Sequence, residues 1–181
     1  SFVRNREAVM DARKVLEEGG GHHAKIISKI ENQEGVENFD SILSVSDGIM
    51  VARGDLGVEV DFFELPVIQR DITRKCGLAG KPVIVATHLL ESMIEHPMPT
   101  RAEVSDVANA VYEEADAVML SGETASGKHP VRCVQVMEQI VRRIEKVETI
   151  GTHMLRTANN TREELARSAC RFADAIGAPA I

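Results

Sequence analysis

The length, composition and charge of this sequence indicate one folded domain, or one with part of a second, and exclude several classes of binding protein. Its 181 residues are enough to bury a substantial core. Tryptophan is absent, tyrosine occurs once and the net charge is −7, so the sequence lacks the aromatic platform and the basic surface of nucleic-acid-binding proteins. No apolar run approaches the roughly 18 residues that a membrane span requires. We therefore expect neither nucleic acid nor membrane as a partner.

The three cysteines and the chain ends suggest where the protein works. Cys76, Cys133 and Cys170 are odd in number, far apart and without CxxC spacing, so we interpret them as reduced packing residues of a cytoplasmic protein. The first residues lack the charged segment and apolar run of a signal peptide. The chain begins without methionine and stops within the apolar residues 178–181, so we expect it to be part of a longer protein.

Short apolar runs alternate with amphipathic helical patterns along the chain. The runs predict β-strands at residues 24–30, 49–52, 83–87 and 117–120. Helical spacing predicts apolar stripes at Ala8, Ala12, Val15, Leu16; Val36, Phe39, Ile42, Leu43; Leu65, Ile68, Ile72, Cys76, Ala79; Val104, Val107, Ala108, Val111, Ala115; Val134, Met137, Val141, Ile144; and Leu165, Ala169, Phe172, Ala173, Ile176. Helix boundaries are marked by Asn5, the glycines at 19–21, Gly80, Pro130, and Thr161 with Glu164 as a capping box.

The order of these elements predicts an α/β fold. A strand followed by a helix occurs four times, which indicates a parallel sheet covered on both faces. We predict a tight turn at 54–57 and a polar connector at 151–160. The functional-looking residues follow the strands, as in barrel and doubly wound enzymes alike. A complete eight-stranded barrel needs about 250 residues, so only about half of one would fit.

The candidate site lies at the carboxyl ends of the first two strands. Lys29 and Glu31 are two residues apart, so they share one face of an extended chain. Asp55 follows the second strand with a similar offset, beside Gly54 and Gly57. A structural ion pair would explain Lys29 and Glu31 alone, but a second carboxylate at the neighbouring strand end favours a site for a hard divalent cation with a phosphorylated ligand. The two glycines would let a ligand approach the backbone.

Other polar residues after the strands have ordinary explanations that compete with function. Thr87 is as well explained by a helix cap, and His88 by an exposed loop. The segment 121–124 could bind an anion or only open a helix. We interpret His22 and His23 as a solvated loop, because no carboxylate or cysteine lies at ligand spacing.

Several long segments together resemble the pyruvate kinase family, in the family's order and from the first residue to the last, more weakly after about residue 148. They are SKIEN with EG at 28–35, MVARGDLGVE at 50–59, KPVIVAT with LESM at 81–93, PTRAE with SDVANAV at 99–111, and MLSGETA at 119–125. The resemblance implies the second half of a (β/α)₈ TIM barrel, strands five to eight with their helices, preceded by the end of strand four and followed by the first helix of a C-terminal α/β domain. Residues 1–150 would be the partial catalytic domain, and 151–181 the connector and the start of the next domain.

The resemblance also implies an activity. Pyruvate kinases are glycolytic enzymes that transfer the phosphoryl group of phosphoenolpyruvate to ADP, which gives pyruvate and ATP. The family uses Mg²⁺ and K⁺, and the K⁺ ligands would lie outside this chain. The full-length family implies a homotetramer. We expect the 181 residues alone to be inactive and prone to associate, because half a barrel exposes unpaired strand edges.

By motif position, the resemblance assigns roles to five residues. Lys29 corresponds to the lysine that stabilises charge on the transferring phosphoryl group. Glu31 and Asp55 correspond to the Mg²⁺ ligands. The backbone N–H groups of Gly54 and Asp55 correspond to those that hold the substrate carboxylate, and Thr87 to a catalytic substrate contact near the enolate.

The sequence departs from the family pattern at three places. His88 stands where glutamine is usual, Ser126 where lysine is common, and the segment 61–63 is unusual. Two other functions stay open from the residues themselves. One is a Mg²⁺-dependent lyase or aldolase barrel acting on phosphoenolpyruvate or a 2-oxo acid, and the other is a non-catalytic half-barrel that serves as an interaction module.

Overall fold

The computed structural model describes residues 1–147 and 161–178. They belong to two compact units, residues 1–147 and 148–181. The predicted connector at 151–160 lies outside the described residues. In the described ranges no helix is both long and apolar enough to cross a membrane.

The first unit alternates strands and helices as the sequence predicts. Its strands are β1 (Ile27–Ile30), β2 (Gly48–Ala52), β3 (Val83–Ala86) and β4 (Ala117–Met119). Its helices are α1 (Arg6–Glu18), α2 (Gln33–Glu37), α3 (Phe39–Val45), α4 (Arg53–Glu59), α5 (Leu65–Ala79), α6 (Arg101–Tyr112), α7 (Gly122–Ala125) and α8 (Pro130–Ile144), with a 3₁₀ turn at Glu91–Ile94. The second unit contains α9 (Thr161–Ile176).

The strands form one parallel sheet in the order β1-β2-β3-β4. Lys29 lies opposite Met50, and Ala52 lies opposite Ala86. The carboxyl ends of all four strands therefore meet at one edge of the sheet, which we call the upper edge. The predicted α/β fold with a parallel sheet is confirmed.

Several predicted boundaries of the helices are confirmed by their hydrogen bonds. The side chain of Asn5 accepts from the backbone N–H of Ala8 at 3.0 Å, so it caps α1. Gly80 ends α5 with a φ of 64°, a left-handed conformation that glycine adopts without strain. Pro130 opens α8. Thr161 is the first residue of α9 and the residue before it is not described, so the capping box predicted there stays a prediction.

The predicted apolar stripe on α1 is wrong, and that on α8 is wrong only at Val134, since Met137 is buried and Val141 and Ile144 pack against the core. On α1 the buried residue is Val9, while Ala8 and Val15 are exposed. On α8 the predicted Val134 is 54% exposed, and its neighbour Cys133 is buried. Successive residues of a helix point about 100° apart, so a shift of one residue moves a side chain from the core to its border.

Some predicted elements differ in length or type. The predicted turn at 54–57 is part of the short helix α4. The single helix predicted on Val36 to Leu43 is two helices, which meet at Asn38. The first strand begins at Ile27 rather than at residue 24. β3 stops before Thr87, because a φ of 69° at that residue leaves the extended region.

Helices pack on one face of the sheet, and the other face is less covered. The strand residues directed at the helices are fully buried: Ile30, Val51 and Val85. Lys29, Met50 and Ile84 precede these residues on their strands and are half-buried. Ala117 continues the same row on β4 and is exposed. On the same face Ala52 and Ala86 are fully buried, so within the described part of the chain the expected cover on both faces is met only at the carboxyl ends of these strands.

The cysteines divide into two kinds. Cys76 and Cys133 are buried in the two apolar cores of the first unit, as predicted. Burial raises the pKa of the Cys76 thiol to about 12, so this thiol stays protonated and unreactive at neutral pH. Cys170 on α9 is exposed, so its predicted packing role is wrong.

At the lower edge of the sheet, Asp47 links α1 and β2 to the segment that leads into β1. Its carboxylate accepts from the backbone N–H of Ile26 at 2.9 Å and from the guanidinium of Arg13 at 2.9 Å, and lies 3.3 Å from the ammonium of Lys25. These donors, the Ile26 amide first, hold the pKa of Asp47 well below its ordinary range.

Replacing Asp47 with asparagine is expected to lower the free energy of unfolding of the complete protein by about 1–3 kcal/mol at pH 7, because charge-assisted hydrogen bonds are lost. A lowered folded-state pKa gives stability that is present above the unfolded pKa of about 3.9 and lost as pH falls below it. Urea denaturation should therefore show the difference between Asp47→Asn and the parent closing below about pH 4.

Asp40→Asn is the matched control for this prediction. The Asp40 side chain is 76% exposed and forms an ion pair with Lys75 at 2.8 Å, so its loss should change stability by less than about 1 kcal/mol. A pH-independent difference between Asp47→Asn and the parent would contradict the assigned role of the carboxylate charge.

Candidate active site

The upper edge of the sheet brings together the three charged residues that the sequence singles out. Lys29 is the penultimate residue of β1, and its ammonium contacts the Oε2 atom of Glu31. The same ammonium lies 3.2 Å from Oδ2 of Asp55, which α4 presents directly after β2. The predicted convergence of one cation and two carboxylates at neighbouring strand ends is therefore observed.

The two carboxylates differ in exposure. The Glu31 side chain is 3% exposed, and that of Asp55 is 65% exposed. One Glu31 oxygen, Oε1, accepts a hydrogen bond from the backbone N–H of Phe2. The other, Oε2, is buried in contact with Lys29, but no donor in the described chain meets hydrogen-bond geometry there. Glu31 is thus held by Phe2 through Oε1 and paired with Lys29 through Oε2, whereas Asp55 faces solvent.

The charge state of Lys29 follows from this arrangement. The Glu31 carboxylate raises the pKa of Lys29, burial lowers it, and Asp55 raises it further; the net direction is above the ordinary value of 10.5. The sequence could not decide between burial and the carboxylates, and the geometry favours the carboxylates. Lys29 is therefore a permanent cation at neutral pH and serves as a donor to negative charge rather than as a base.

The donor set at this edge fits a hard divalent ion that is completed by substrate. No group of three or more His, Cys, Asp or Glu side chains within the described ranges has the geometry to hold a metal by itself. Mg²⁺ typically takes one or two carboxylates and fills its other positions with water and substrate oxygens. The buried carboxylate of Glu31 and the exposed carboxylate of Asp55 supply the one or two carboxylates that this requires.

The glycine at the start of α4 allows β2 and β3 to approach at their ends. The backbone N–H of Gly54 donates to Oγ1 of Thr87 at 2.7 Å, and Oγ1 in turn donates to the carbonyl of Ala86 at 2.6 Å. A Cβ atom on Gly54 would lie 3.2 Å from Oγ1 of Thr87 and 3.3 Å from Cε1 of His88. The missing side chain at Gly54 brings Thr87 next to its backbone, and the predicted approach of a ligand to this backbone stays a prediction.

Two residues of this edge have an unusual backbone. Thr87 has a φ of 69° and His88 a φ of 53°. Non-glycine residues rarely adopt this left-handed region, and β-branched residues such as threonine least of all. Such strain persists only where surrounding contacts over-determine the conformation.

Arg53 supplies part of that constraint, and its role was not found from the sequence. Its buried guanidinium donates to the carbonyl of Thr87 at 2.8 and 3.2 Å and to that of His88 at 3.0 Å. It also forms an ion pair with Asp106 on α6 at 2.7 Å and contacts Gln69 at 3.3 Å. The sequence signal was an arginine directly after a buried strand, where a charge needs partners.

The segment 121–124 opens the short helix α7, which is one of its two predicted alternatives. Glu123 is fully buried, and its two oxygens accept from the backbone N–H groups of Leu90 at 3.2 Å and Ser121 at 2.7 Å. The carboxylate is therefore engaged inside the protein, between the ends of β3 and β4. Histidines 22, 23 and 88 are exposed, which agrees with the solvated-loop interpretation for the first two.

Comparison with known proteins identifies the family. The family model for "Pyruvate kinase, barrel domain" matches residues 1–134. Among curated relatives, a pyruvate kinase of Lactobacillus delbrueckii subsp. bulgaricus is 49% identical across 100% of this chain and 32% of its own length. One of Dictyostelium discoideum is 58% identical across 82% of this chain and 29% of its own length. A pyruvate kinase of Clostridium acetobutylicum is 55% identical across 80% of this chain and 31% of its own length.

The chain thus spans between 24% and 32% of the length of these and similar curated relatives. The matched residues contain β1 to β4 and all the candidate site residues on their upper edge. On these similarities, this chain belongs to the pyruvate kinase family.

Proposed function

We propose that the protein containing this chain transfers the phosphoryl group of phosphoenolpyruvate to ADP, with pyruvate and ATP as products. The observation that carries the proposal is the convergence of Lys29, Glu31 and Asp55 on the upper edge. Transfer from an enol phosphate needs little covalent chemistry from the protein, but it needs positioning and neutralisation of charge. A cation beside two carboxylates that would bind a metal provides the neutralisation of charge.

Glu31 and Asp55 would hold Mg²⁺, which when bound polarises substrate oxygens as a Lewis acid. Glu31 would be the fixed ligand, because it is buried and its Oε1 is anchored on the backbone N–H of Phe2. Asp55 is exposed and can adjust to the arriving ion. Lys29, a permanent cation, would stabilise negative charge on the transferring phosphoryl group.

Gly54, Asp55 and Thr87 would hold the organic part of the substrate. The Gly54 N–H now donates to Oγ1 of Thr87. A substrate carboxylate would accept the hydrogen bond from the Gly54 N–H in place of Thr87, and a second one from the N–H of Asp55 at the start of α4. Thr87 would keep its own hydrogen bond to the carbonyl of Ala86. Thr87 would then contact the substrate near the enolate carbon, on the loop that its own left-handed backbone begins.

The wider assignment is part of the same proposal. The strands β1 to β4 would be strands five to eight of a (β/α)₈ barrel, and the less covered row of Lys29, Met50 and Ile84 would face the barrel interior. Residues 151–181 would begin the C-terminal domain. The complete protein would be a cytoplasmic homo-oligomer that also uses K⁺, bound outside this chain. The 181 residues alone would be inactive.

Glu31→Gln in the complete protein tests the metal assignment. The amide removes one charge from the site, so the Mg²⁺ concentration for half-maximal rate should rise by about 10- to 100-fold. The rate is measured as pyruvate formed from phosphoenolpyruvate and ADP, and Mn²⁺ binding by paramagnetic resonance gives a second readout that does not depend on turnover.

Glu34→Gln is the matched control, since the Glu34 carboxylate is about half exposed and pairs only loosely with Arg4 at 3.7 Å. Unchanged metal affinity in Glu31→Gln would reject the assigned ligand. Pyruvate release without ADP in the parent protein would favour the lyase or aldolase alternative instead. A parent protein with no metal affinity and no turnover would favour an interaction module.

A further inference from the structure

The loop between β3 and α6, residues 87–100, starts at the candidate site and is fixed by charged side chains from three other elements. Arg53 holds the carbonyls of Thr87 and His88. Glu123 accepts the N–H of Leu90, and Glu103 accepts the N–H and hydroxyl of Ser92 at 2.6 and 2.5 Å. Buried ionised groups bound to backbone are costly to place unless their geometry is well satisfied.

Glu123 differs from the other two because it joins two strand ends. Its Oε1 accepts from Leu90, three residues after Thr87, and its Oε2 accepts from Ser121, two residues after β4 ends. The side chain is fully buried, and so is Leu90. The hydrogen bond from Leu90 is buried and the one from Ser121 is partly buried, so water competes little with the first, which constrains the loop backbone strongly.

The short helix that carries Glu123 is itself held closely against the loop. A Cβ atom on Gly122 would lie 3.1 Å from Cδ1 of Ile94, and one on Gly127 would lie 3.2 Å from Cα of Ile94 and 2.5 Å from the carbonyl of Glu123. The N–H of Lys128 donates to the carbonyl of Ile94 at 2.8 Å. With no side chain at these two glycines, α7 and the loop pack as one layer, so a shift at Glu123 would be transmitted to the loop.

We propose that Glu123 is a positioning residue that acts through the β3–α6 loop to hold Thr87 in its left-handed conformation against the Gly54 amide. Thr87 needs such support, since its conformation is unfavourable for a β-branched residue. Arg53 fixes the carbonyl side of residues 87 and 88, and Glu123 fixes the amide side at Leu90. The proposal rests on the proposed function, because it gives Thr87 a contact with substrate.

A carboxylate is needed at position 123 for a geometric reason. Two backbone N–H groups converge on it, and each oxygen of a carboxylate can accept one of them. A glutamine has the same shape but a single acceptor oxygen, so its NH₂ group would face one of the two N–H groups. Glu123→Gln should therefore release either Leu90 or Ser121 with little change in packing volume.

The test is a double-mutant cycle in the complete protein with Glu123→Gln and Thr87→Val. Glu123→Gln should lower kcat by about 100-fold, as expected for a misplaced contact group. If Glu123 acts through Thr87, it should have less than about threefold further effect in the Thr87→Val background. Exchange of the pyruvate methyl protons with D₂O, in the presence of Mg²⁺ and ATP, should show the same non-additivity, because it reports on the enolate contact.

Glu103→Gln is the matched control, because Glu103 on α6 binds the backbone of the same loop. Glu103 also accepts backbone N–H groups, but at Ser92 and Thr100, farther along the loop from Thr87. It should lower stability without the non-additive effect on exchange. If Glu123→Gln does not fold, Glu123→Asp, which is too short to reach both amides, replaces it in the cycle.

The outcomes separate the two proposals. Additive effects of the substitutions at 123 and 87, or a Glu123→Gln enzyme with normal turnover, would overturn the positioning role while the parent enzyme remains active. Absence of ADP-dependent pyruvate formation in the parent protein would instead reject the proposed function.

Discussion

Replacing Lys29 with methionine in the complete protein is expected to lower the turnover number by about 10²–10³-fold, the usual cost of removing one preorganised donor to developing charge. Methionine is close to lysine in length but has no charge. The affinity for phosphoenolpyruvate should change much less, because the interaction with Lys29 strengthens as the phosphoryl group departs. Steady-state kinetics of pyruvate formation measures both quantities.

The structure supplies a control and a second readout for this prediction. Lys25→Met makes the same change at a lysine that is 78% exposed at the lower edge of the sheet, so it should leave kcat near normal. The carboxylates raise the pKa of Lys29 above 10.5, so no loss of activity between pH 6 and 9 should arise from its deprotonation. A Lys29→Met enzyme with near-normal turnover would refute the assigned role.

Replacing Arg53 with methionine is expected to cause the largest loss of stability. The guanidinium is 8% exposed and binds the carbonyls of Thr87 and His88 in addition to Asp106. Removing one partner of a buried ion pair typically costs about 3–5 kcal/mol, because the other charge is left unpaired. Asp106 is 36% exposed and can be rehydrated, so we expect a value of about 3 kcal/mol, at the lower end.

Urea denaturation of the complete protein measures this loss, and Arg142→Met is its control. Arg142 is 72% exposed and pairs with Glu138 one helical turn away, so its replacement should cost less than about 1 kcal/mol. Arg53→Met should also lower kcat, because the strained carbonyls at 87 and 88 lose their donor. Equal stability of the two variants would contradict the bracing role of Arg53.

The sequence determined the parts of this site that depend on local periodicity. Strand alternation placed Lys29 and Glu31 on one face, and the repeated strand–helix order indicated a parallel sheet, whose strand ends must meet. These two facts together predict that Asp55 lies close to Lys29, and the structure confirms it. Caps and breakers such as Asn5, Gly80 and Pro130 were also found, because each acts within a few residues of itself.

The helix faces show where local pattern stops being sufficient. Ala8 and Val15 fit a helical stripe on α1, yet Val9 is the residue that the sheet and its neighbouring helices bury. Alternative stripes one residue apart have similar apolar content, and only the packing partner selects between them. The same ambiguity placed Val134 rather than Cys133 in the core.

Only the tertiary structure decided what the charged residues hold. The Arg53–Asp106 ion pair joins residues 53 positions apart, and Glu123 reaches the amide of Leu90 across 33 positions. The direction in which the pKa of Lys29 shifts also depends on tertiary structure. Two nearby carboxylates raise it and burial lowers it, and only the folded arrangement decides which effect is larger. Spacing along the chain carries information about neighbours on one element, whereas burial and electrostatics are set by elements that meet only after folding.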